Sequence, residues 1–274
     1  VRLNEVLDTR PSLTDEGSCV QKEKSGTARV AFEDVSFTYA GSKEPALSHI
    51  SFTAEPGETI GIIGGTGCGK STLVNLIPRF YDVTSGNVVI DGNNAKEYPF
   101  SQLRKKIGMV PQQAVLFKGT IRDNMKWGKE DATEEEIQRA LSIAQASDFV
   151  NSKPEGLNTM VSQGGANLSG GQRQRLTIAR ALVGDPEILI MDDSASALDF
   201  ATDAALRHAI HEQTKGMTVF IVSQRATSIK QADKILVLDD GKLAGVGTHK
   251  ELMESCEVYR EICLSQLSEQ EVNR

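Results

Sequence analysis

A glycine-rich loop between an apolar strand and a helix constrains this chain more than any other stretch. Residues 59–72, TIGIIGGTGCGKST, carry the spacing Gly-x-x-x-x-Gly-Lys-Ser. Glycines let successive backbone N–H groups point inward at phosphate oxygens, and a helix that begins after the loop presents its positive end to the same anion. Lys70 would place a charge on the β- and γ-phosphates, and Ser71 would offer a hydroxyl to Mg²⁺. The stretch predicts a nucleotide-binding phosphate loop, formed by Gly64, Gly65, Thr66, Gly67, Cys68, Gly69, Lys70, Ser71 and Thr72.

Composition narrows the choice of partners. The chain has 274 residues, 39% of them hydrophobic and 24% charged, which is ordinary for a globular protein. Its formal net charge of −7 provides no basic field for a nucleic-acid backbone, so we expect no nucleic-acid partner. No run approaches the roughly 18 apolar residues that span a bilayer. The chain begins at Val1 rather than methionine, and we expect it to be a fragment of a longer protein.

The order of patterns predicts an α/β fold with two additions. Residues 1–13 have helical spacing and are followed by a polar stretch that ends near residue 27. From residue 28 apolar side chains alternate with polar ones, which predicts an antiparallel β subdomain. Residues 113 to about 182 are largely helical in pattern, with a capping box at Thr133 and Glu136. This helical subdomain is inserted between strands of the main sheet.

Polar residues follow several of the predicted strands. Gln112 ends the strand that starts at residue 107, the run 188–191 ends in Asp192 and Asp193, and Gln224 follows the run 219–223. In α/β sheets ligands bind at this edge, so Asp192 is the candidate Mg²⁺ ligand and Asp193 the candidate base. Gln112 would reach a metal or a water, or is an ordinary loop residue. Tyr39, at the end of a strand, would stack on a base or simply pack.

A second glycine turn opens the last helix of the helical block. It contains Ser169, Gly170, Gly171 and Gln172. Backbone N–H groups and a helix N-terminus form an anion site here too, but the turn lacks a lysine. Such a loop is explained if it approaches a nucleotide that is already bound by another molecule.

The chain carries, in this order, a phosphate loop, a mid-chain glutamine, the sequence LSGGQ and a strand that ends in Asp-Asp. This arrangement resembles the nucleotide-binding domain of ABC transporters. The resemblance covers about residues 28–274 and implies a P-loop NTPase (RecA-like) core that uses ATP and Mg²⁺. It implies that Tyr39 stacks on adenine and that Gln112 touches both Mg²⁺ and the membrane domain. It also implies that the LSGGQ signature closes on ATP held by a second nucleotide-binding domain, with residues 196–199 crossing the interface.

The two ends of the chain extend the resemblance to exporters. VRLNEVLD, within residues 1–27, looks like the linker that follows the last transmembrane helix of an exporter half. KILVLDDGKLAGVGTHKELM, near the C-terminus, resembles exporters, and multidrug exporters most. The expected position is therefore the cytoplasmic face of the cell membrane, with the transmembrane domain of the exporter as a partner.

Two positions depart from the family pattern. Asp193 stands where a glutamate base is usual, and Gln224 stands where a histidine is usual. A base must lie within about 2.6–3.2 Å of the proton it takes, and Asp193 is shorter by one methylene. Gln224 has no proton that titrates near neutral pH. The pattern resembles the degenerate-site half of a heterodimeric multidrug exporter, whose own site is slow while its intact signature serves the partner chain.

Two other functions stay open on the sequence. One is a self-sufficient homodimeric exporter ATPase, which requires that Asp193 suffices as the base. The other is a soluble ABC regulatory ATPase that has no membrane domain.

Overall fold

The structure is a computed structural model that describes residues 13–18, 28–194 and 197–266. The helix predicted over residues 1–13 lies outside the described residues except for its last position. In chain order the strands are β1 (Val30–Phe37), β2 (Leu47–Ala54), β3 (Thr59–Gly64), β4 (Ser85–Ile90), β5 (Asn93–Asn94), β6 (Ile107–Val110), β7 (Gly119–Thr120), β8 (Met160–Val161), β9 (Ile188–Asp192), β10 (Thr218–Val222), β11 (Lys234–Asp239) and β12 (Lys242–Gly247). The helices are α1 (Lys70–Leu76), α2 (Phe100–Lys105), α3 (Ile121–Lys126), α4 (Glu134–Ile143), α5 (Ser147–Asn151), α6 (Gly170–Leu182), α7 (Phe200–Gln213), α8 (Ala226–Ile229), α9 (His249–Ser255) and α10 (Glu257–Gln266).

The alternating segments form an antiparallel sheet with the order β2-β1-β4-β5. Phe32 on β1 lies opposite Phe52 on β2, and their rings stack with centroids 4.7 Å apart. The prediction of an antiparallel β subdomain is confirmed. Asn93 and Asn94 pair with β4, which leaves Asp91 and Gly92 as the turn between β4 and β5.

The apolar runs form a second sheet of order β12-β11-β3-β10-β9-β6. Neighbouring strands in it are parallel, except that β11 and β12 pair antiparallel as a hairpin. All five residues of β9 are buried, as are those of β10. A parallel strand covered on both faces is apolar throughout, which explains these uninterrupted runs.

Successive residues of the central strands point to opposite faces of this sheet and enter two separate cores. On β9, Ile188 and Ile190 pack with the antiparallel sheet and α1, whereas Leu189 and Met191 pack with the helical block. The period of two residues in a strand produces this division. The central sheet therefore lies between the antiparallel sheet on one side and helices on the other.

The helical block runs from the end of β6 to the start of β9, two strands that pair with each other. Its capping box is present, with the Thr133 side chain accepting from the Glu136 N–H and the Glu136 carboxylate accepting from the Thr133 N–H. The block also contains the short β7–β8 pair, which the helical pattern did not predict. The tail forms two helices, α9 and α10, which Cys256 separates in extended conformation.

Candidate functional site

The parallel sheet brings distant strand ends to one edge. Val222 at the end of β10 aligns with Asp192 on one side and with Ile62 on the other, and β6 ends beside β9 at Val110. Because all four strands run in the same direction, the residues that follow them meet at this edge. The phosphate loop, Gln112, Asp193 and Gln224 therefore share one region of the surface.

The phosphate loop has a backbone that only glycine fits at two positions. Gly64 has φ 156°, and a Cβ there would lie 2.1 Å from the Leu238 carbonyl oxygen. Gly69 has φ 101° and lies immediately before α1, where a Cβ would meet Leu47 at 2.8 Å. The glycine spacing in the sequence thus reflects both backbone conformation and close packing.

Lys70 is folded back into this loop. Its Nζ donates to the Gly64 carbonyl at 2.9 Å, to the Gly65 carbonyl at 2.6 Å and to Cys68 Sγ at 3.7 Å. The residue is only 8% exposed. None of these three partners carries the negative charge that would offset a buried ammonium, so the loop suits an anionic ligand.

Ser71 and Asp192 form a polar pair next to this lysine. Ser71 Oγ donates to Asp192 Oδ1 at 3.0 Å, although 121 residues separate them. Asp192 is 6% exposed, and burial raises its pKa above the ordinary value. The neighbouring Asp193 raises that pKa further, while the Ser71 hydrogen bond and Lys70 lower it. Two neighbouring carboxylates, one of them buried, favour a bound cation, which would lie between these carboxylates and an anionic ligand.

Asp193 lies between the side chains of two glutamines. Its Oδ2 is 3.4 Å from Gln112 Nε2 and 3.5 Å from Gln224 Nε2, both at the long end of the hydrogen-bond range. The Asp193 backbone is left-handed, with φ 45°, and its N–H donates to the Val222 carbonyl at 2.9 Å. The structure therefore brings together the three residues that the sequence singled out as catalytic.

Tyr39 is anchored on the first turn of α1. Its hydroxyl lies 2.9 Å from Thr72 Oγ1, and its ring packs edge to face against Phe37. Tyr81 contacts the same ring from another side, with centroids 5.3 Å apart. The sequence interpretation had missed Tyr81, for which the only local signal is a pair of aromatic residues following α1. Tyr39 remains 36% exposed, so part of its ring is available to a ligand.

The second glycine turn begins α6 and is open to solvent. The Ser169 side chain accepts from the Gln172 N–H, and Gln172 Oε1 accepts from the Ser169 N–H, which forms a capping box. A Cβ added at Gly170 would meet nothing within 4 Å. Among the described residues, no hydrogen bond or ion pair joins this turn to the phosphate loop of the same chain. Of the predicted crossing loop 196–199, Ser196 lies outside the described residues, and the Ala197 carbonyl lies near Gly171.

The helical block exposes several large apolar side chains. Phe117 and Trp127 are 46% and 68% exposed, and their rings pack with centroids 4.8 Å apart. Val115 and Met160 are also exposed. Clusters of exposed apolar side chains are typical of surfaces that other protein parts cover. Within the part of the chain that the structure describes, no helix is both long and apolar enough to cross a membrane.

Comparisons with known proteins agree on one family. A family model described as ABC transporter matches residues 47–196. The uncharacterized ABC transporter ATP-binding protein YfiB of Bacillus subtilis is 46% identical over 265 residues, which cover 97% of this chain and 45% of that protein. An ATP-dependent lipid A-core flippase of Hahella chejuensis is 42% identical over 260 residues, which cover 94% of this chain and 44% of the flippase.

A solved structure shares the whole architecture. The structure of a bacterial Atm1-family ABC exporter with ATP bound superposes with a TM-score of 0.90 at 34% identity, over 98% of this chain and 47% of the exporter chain. A beta-(1→2)glucan export protein, NdvA of Rhodopseudomonas palustris, is 44% identical over 98% of this chain and 44% of its own length. The chain thus spans less than half the length of the relatives it matches.

Proposed function

The chain belongs to the ABC transporter family, and on that premise we propose that it is the ATP-binding domain of an exporter, an ATPase that powers the export of small molecules of drug or lipid type across the cell membrane. Its fold is the P-loop NTPase fold of ABC ATPases with an antiparallel β subdomain and helical parts, as the sequence predicted. The observation that carries the proposal is the meeting of Lys70, Ser71 and Asp192 at one sheet edge.

The residues present fit a nucleotide and its metal. Lys70 is a buried ammonium whose three hydrogen-bond partners are all neutral, which suits the β- and γ-phosphates of ATP. Ser71, Gln112 and Asp192 would hold Mg²⁺ through oxygen atoms, the ligands that this ion prefers. When bound, the ion neutralises charge that develops on the transferring phosphoryl group. The phosphate loop and Thr72 would bind the phosphates, and Tyr39 would stack on the adenine.

The chain's own site would hydrolyse ATP slowly. Asp193 is the candidate base, and Gln112 and Gln224 lie at long hydrogen-bond distances from its carboxylate. The Asp193 side chain is one methylene shorter than glutamate, so its carboxylate lies further from the attacking water. Gln224 adds no group that titrates near neutral pH. We therefore propose that this site binds ATP and retains it. The alternative, a self-sufficient homodimeric exporter, requires full turnover with Asp193.

The open α6 turn indicates a second nucleotide-binding domain as a partner. Ser169, Gly170 and Gly171 present backbone N–H groups at the start of a helix. In the described part of the chain no hydrogen bond or ion pair joins them to the phosphate loop. Such a turn would complete a nucleotide site in which the phosphates are held by another molecule. Since Asp193 and Gln224 weaken only the chain's own site, we propose that the partner is a different chain with the usual glutamate and histidine.

A transmembrane domain is the second proposed partner. The exposed Val115, Phe117, Trp127 and Met160 lie in the helical block and provide an apolar surface of the kind that a partner covers. Gln112 precedes this block and faces Asp193, so it would connect the surface to the nucleotide. The proposed location is the cytoplasmic face of the cell membrane. The net charge of −7 gives no support to a nucleic-acid partner.

The first experiment compares ATP binding by the wild type and two variants, measured by calorimetry with Mg²⁺ present. Lys70→Ala is expected to lose ATP binding, because no other charge in the loop replaces the ammonium. Lys215→Ala is the matched control, since this exposed lysine precedes β10 at the opposite edge of the sheet. ATP binding by the Lys70→Ala variant at wild-type affinity would refute the proposed site.

The second experiment tests the role of the α6 turn. Gly170→Asp places a negative charge where the partner's phosphates would lie, and the added Cβ meets nothing within 4 Å. We expect this variant to bind ATP normally on Lys70 but to lose ATP-dependent dimer formation, measured by analytical ultracentrifugation. A dimer that forms equally well with the aspartate would exclude the proposed contact.

A further inference from the structure

We infer that Tyr81 is a positioning residue for nucleotide recognition, because its ring holds the Tyr39 ring in the orientation that an adenine would meet. The inference rests on the proposed ATP-binding function and adds a residue to its site. Tyr81 would act through Tyr39 and need not touch the phosphates or the metal.

Three aromatic rings form a closed set at this point. The Tyr39 centroid lies 4.7 Å from Phe37 at an interplanar angle of 81°, and 5.3 Å from Tyr81 at 85°. Phe37 and Tyr81 also contact each other, with centroids 5.4 Å apart. Edge-to-face pairs at these distances are favourable and directional. Tyr39 therefore packs against a buried ring and a half-exposed ring that also contact each other.

The hydroxyl end of Tyr39 is held as well. It hydrogen-bonds Thr72 Oγ1 at 2.9 Å, so the ring is held at its hydroxyl end as well as by its two ring contacts. A ring already fixed before the ligand arrives loses less rotational freedom on binding. Tyr39 is still 36% exposed, which leaves part of its surface for stacking. The hydroxyl contact and the two ring contacts together describe a preorganised stacking platform.

The position of Tyr81 is itself fixed by the segment after α1. Arg79 is 5% exposed, has a left-handed backbone with φ 54°, and donates from Nε to Asp82 Oδ1 at 2.7 Å. Tyr81 lies between these two bonded residues. The element that carries Lys70 and Thr72 thus continues into the loop that supports Tyr39, which joins phosphate and base recognition in one stretch of chain.

Phe80 provides a matched control. It precedes Tyr81, and both residues are 40% exposed. Its ring, however, lies under the Arg104 guanidinium at 5.5 Å, on the side of α2. Removing Phe80 deletes as much exposed aromatic surface from the same loop without removing a ring contact of Tyr39.

The test compares the affinities of ATP and inorganic tripolyphosphate, which lacks a base, for the 274-residue chain with Mg²⁺ present. We expect Tyr81→Ala to weaken ATP binding about three- to tenfold, as loss of one edge-to-face pair predicts. Tripolyphosphate affinity is expected to stay unchanged. Tyr81→Phe should restore ATP affinity because it keeps the ring, and Phe80→Ala should match the wild type.

Several results would overturn the inference. One is that Tyr81→Ala binds ATP as tightly as the wild type, and another is that Phe80→Ala loses as much ATP affinity as Tyr81→Ala. The third is that Tyr81→Ala loses affinity for ATP and tripolyphosphate alike, which would indicate damage to the phosphate loop. Tyr81→Leu fills the space without a ring and gives the same comparison if Tyr81→Ala does not fold. Failure of the ATP proposal itself is distinguishable, because the wild type would then bind no ATP or Lys70→Ala would bind it unchanged.

Discussion

Lengthening the side chain at position 193 is the sharpest test of a slow hydrolytic site. Asp193→Glu carries the carboxylate about 1.5 Å further from the backbone, the length of one carbon–carbon bond. A base acts within about 2.6–3.2 Å of the proton it removes. A water oxygen about 4.1–4.7 Å from the present carboxylate would thus come within reach of glutamate.

The size of the effect follows from the present contacts. Asp193 Oδ2 lies 3.4 Å from Gln112 and 3.5 Å from Gln224, so neither amide binds it tightly where it stands. A positioned general base contributes about 10²–10⁴-fold. Because aspartate retains part of this effect, we expect Asp193→Glu/Gln224→His to raise kcat by only about tenfold to a hundredfold.

The same substitution has a cost in stability. Asp193 has φ 45°, a left-handed conformation that aspartate tolerates better than glutamate. We expect Asp193→Glu to lower the free energy of unfolding by roughly 1 kcal/mol. For a domain of this size that corresponds to a fall in Tm of about 2–4 °C. The variant should therefore turn over faster while melting earlier.

The assay measures ATP binding and steady-state turnover at protein concentrations high enough to dimerise. It compares the wild type, Asp193→Glu/Gln224→His and, as the matched control, Asp193→Asn, which keeps the size but removes the charge. A wild type that hydrolyses ATP as fast as the double variant would refute the reasoning. The heterodimer proposal would then be wrong, and a self-sufficient exporter ATPase would replace it.

Three further predictions concern stability. Gly64→Ala should unfold the chain or lower its free energy of unfolding by more than about 3 kcal/mol in urea denaturation, because the new Cβ would lie 2.1 Å from the Leu238 carbonyl oxygen. Gly65→Ala, whose Cβ meets nothing within 4 Å, should lower it by less than about 1 kcal/mol. Thr133→Ala removes the capping box of α4 and should cost about 1 kcal/mol by the same measurement, while Thr133→Ser should restore it. Asp192→Asn should raise Tm at neutral pH, because burial raises the pKa of the Asp192 carboxyl above 3.8 in the folded state. The protonated carboxyl stabilises the fold fully below pH 3.8, and this contribution is lost as the pH rises through the higher folded-state pKa. The difference in Tm between this variant and the wild type should shrink as the pH falls below that value, and a difference independent of pH would contradict the assignment.

The sequence by itself determined the local parts of this protein. Gly64 and Gly69 specify a loop that larger residues at these two positions cannot form, and Thr133 with Glu136 specifies a helix start. Alternation in β1 and the uninterrupted apolar run of β9 identified a half-covered and a fully covered strand. These features depend on backbone conformation and burial within a few residues, and a sequence records both directly.

Only the tertiary structure decided which of these parts meet. Ser71 and Asp192 are 121 residues apart, and Gln112 and Asp193 are 81 apart, so their contacts depend on the strand order β3-β10-β9-β6. Tyr81 has no local pattern that marks its support of Tyr39. The break at Cys256 likewise did not appear in the helical periodicity of the tail. Strand order and ring contacts are set by packing between segments distant in sequence, and local periodicity carries no information about which distant segment will supply the neighbour.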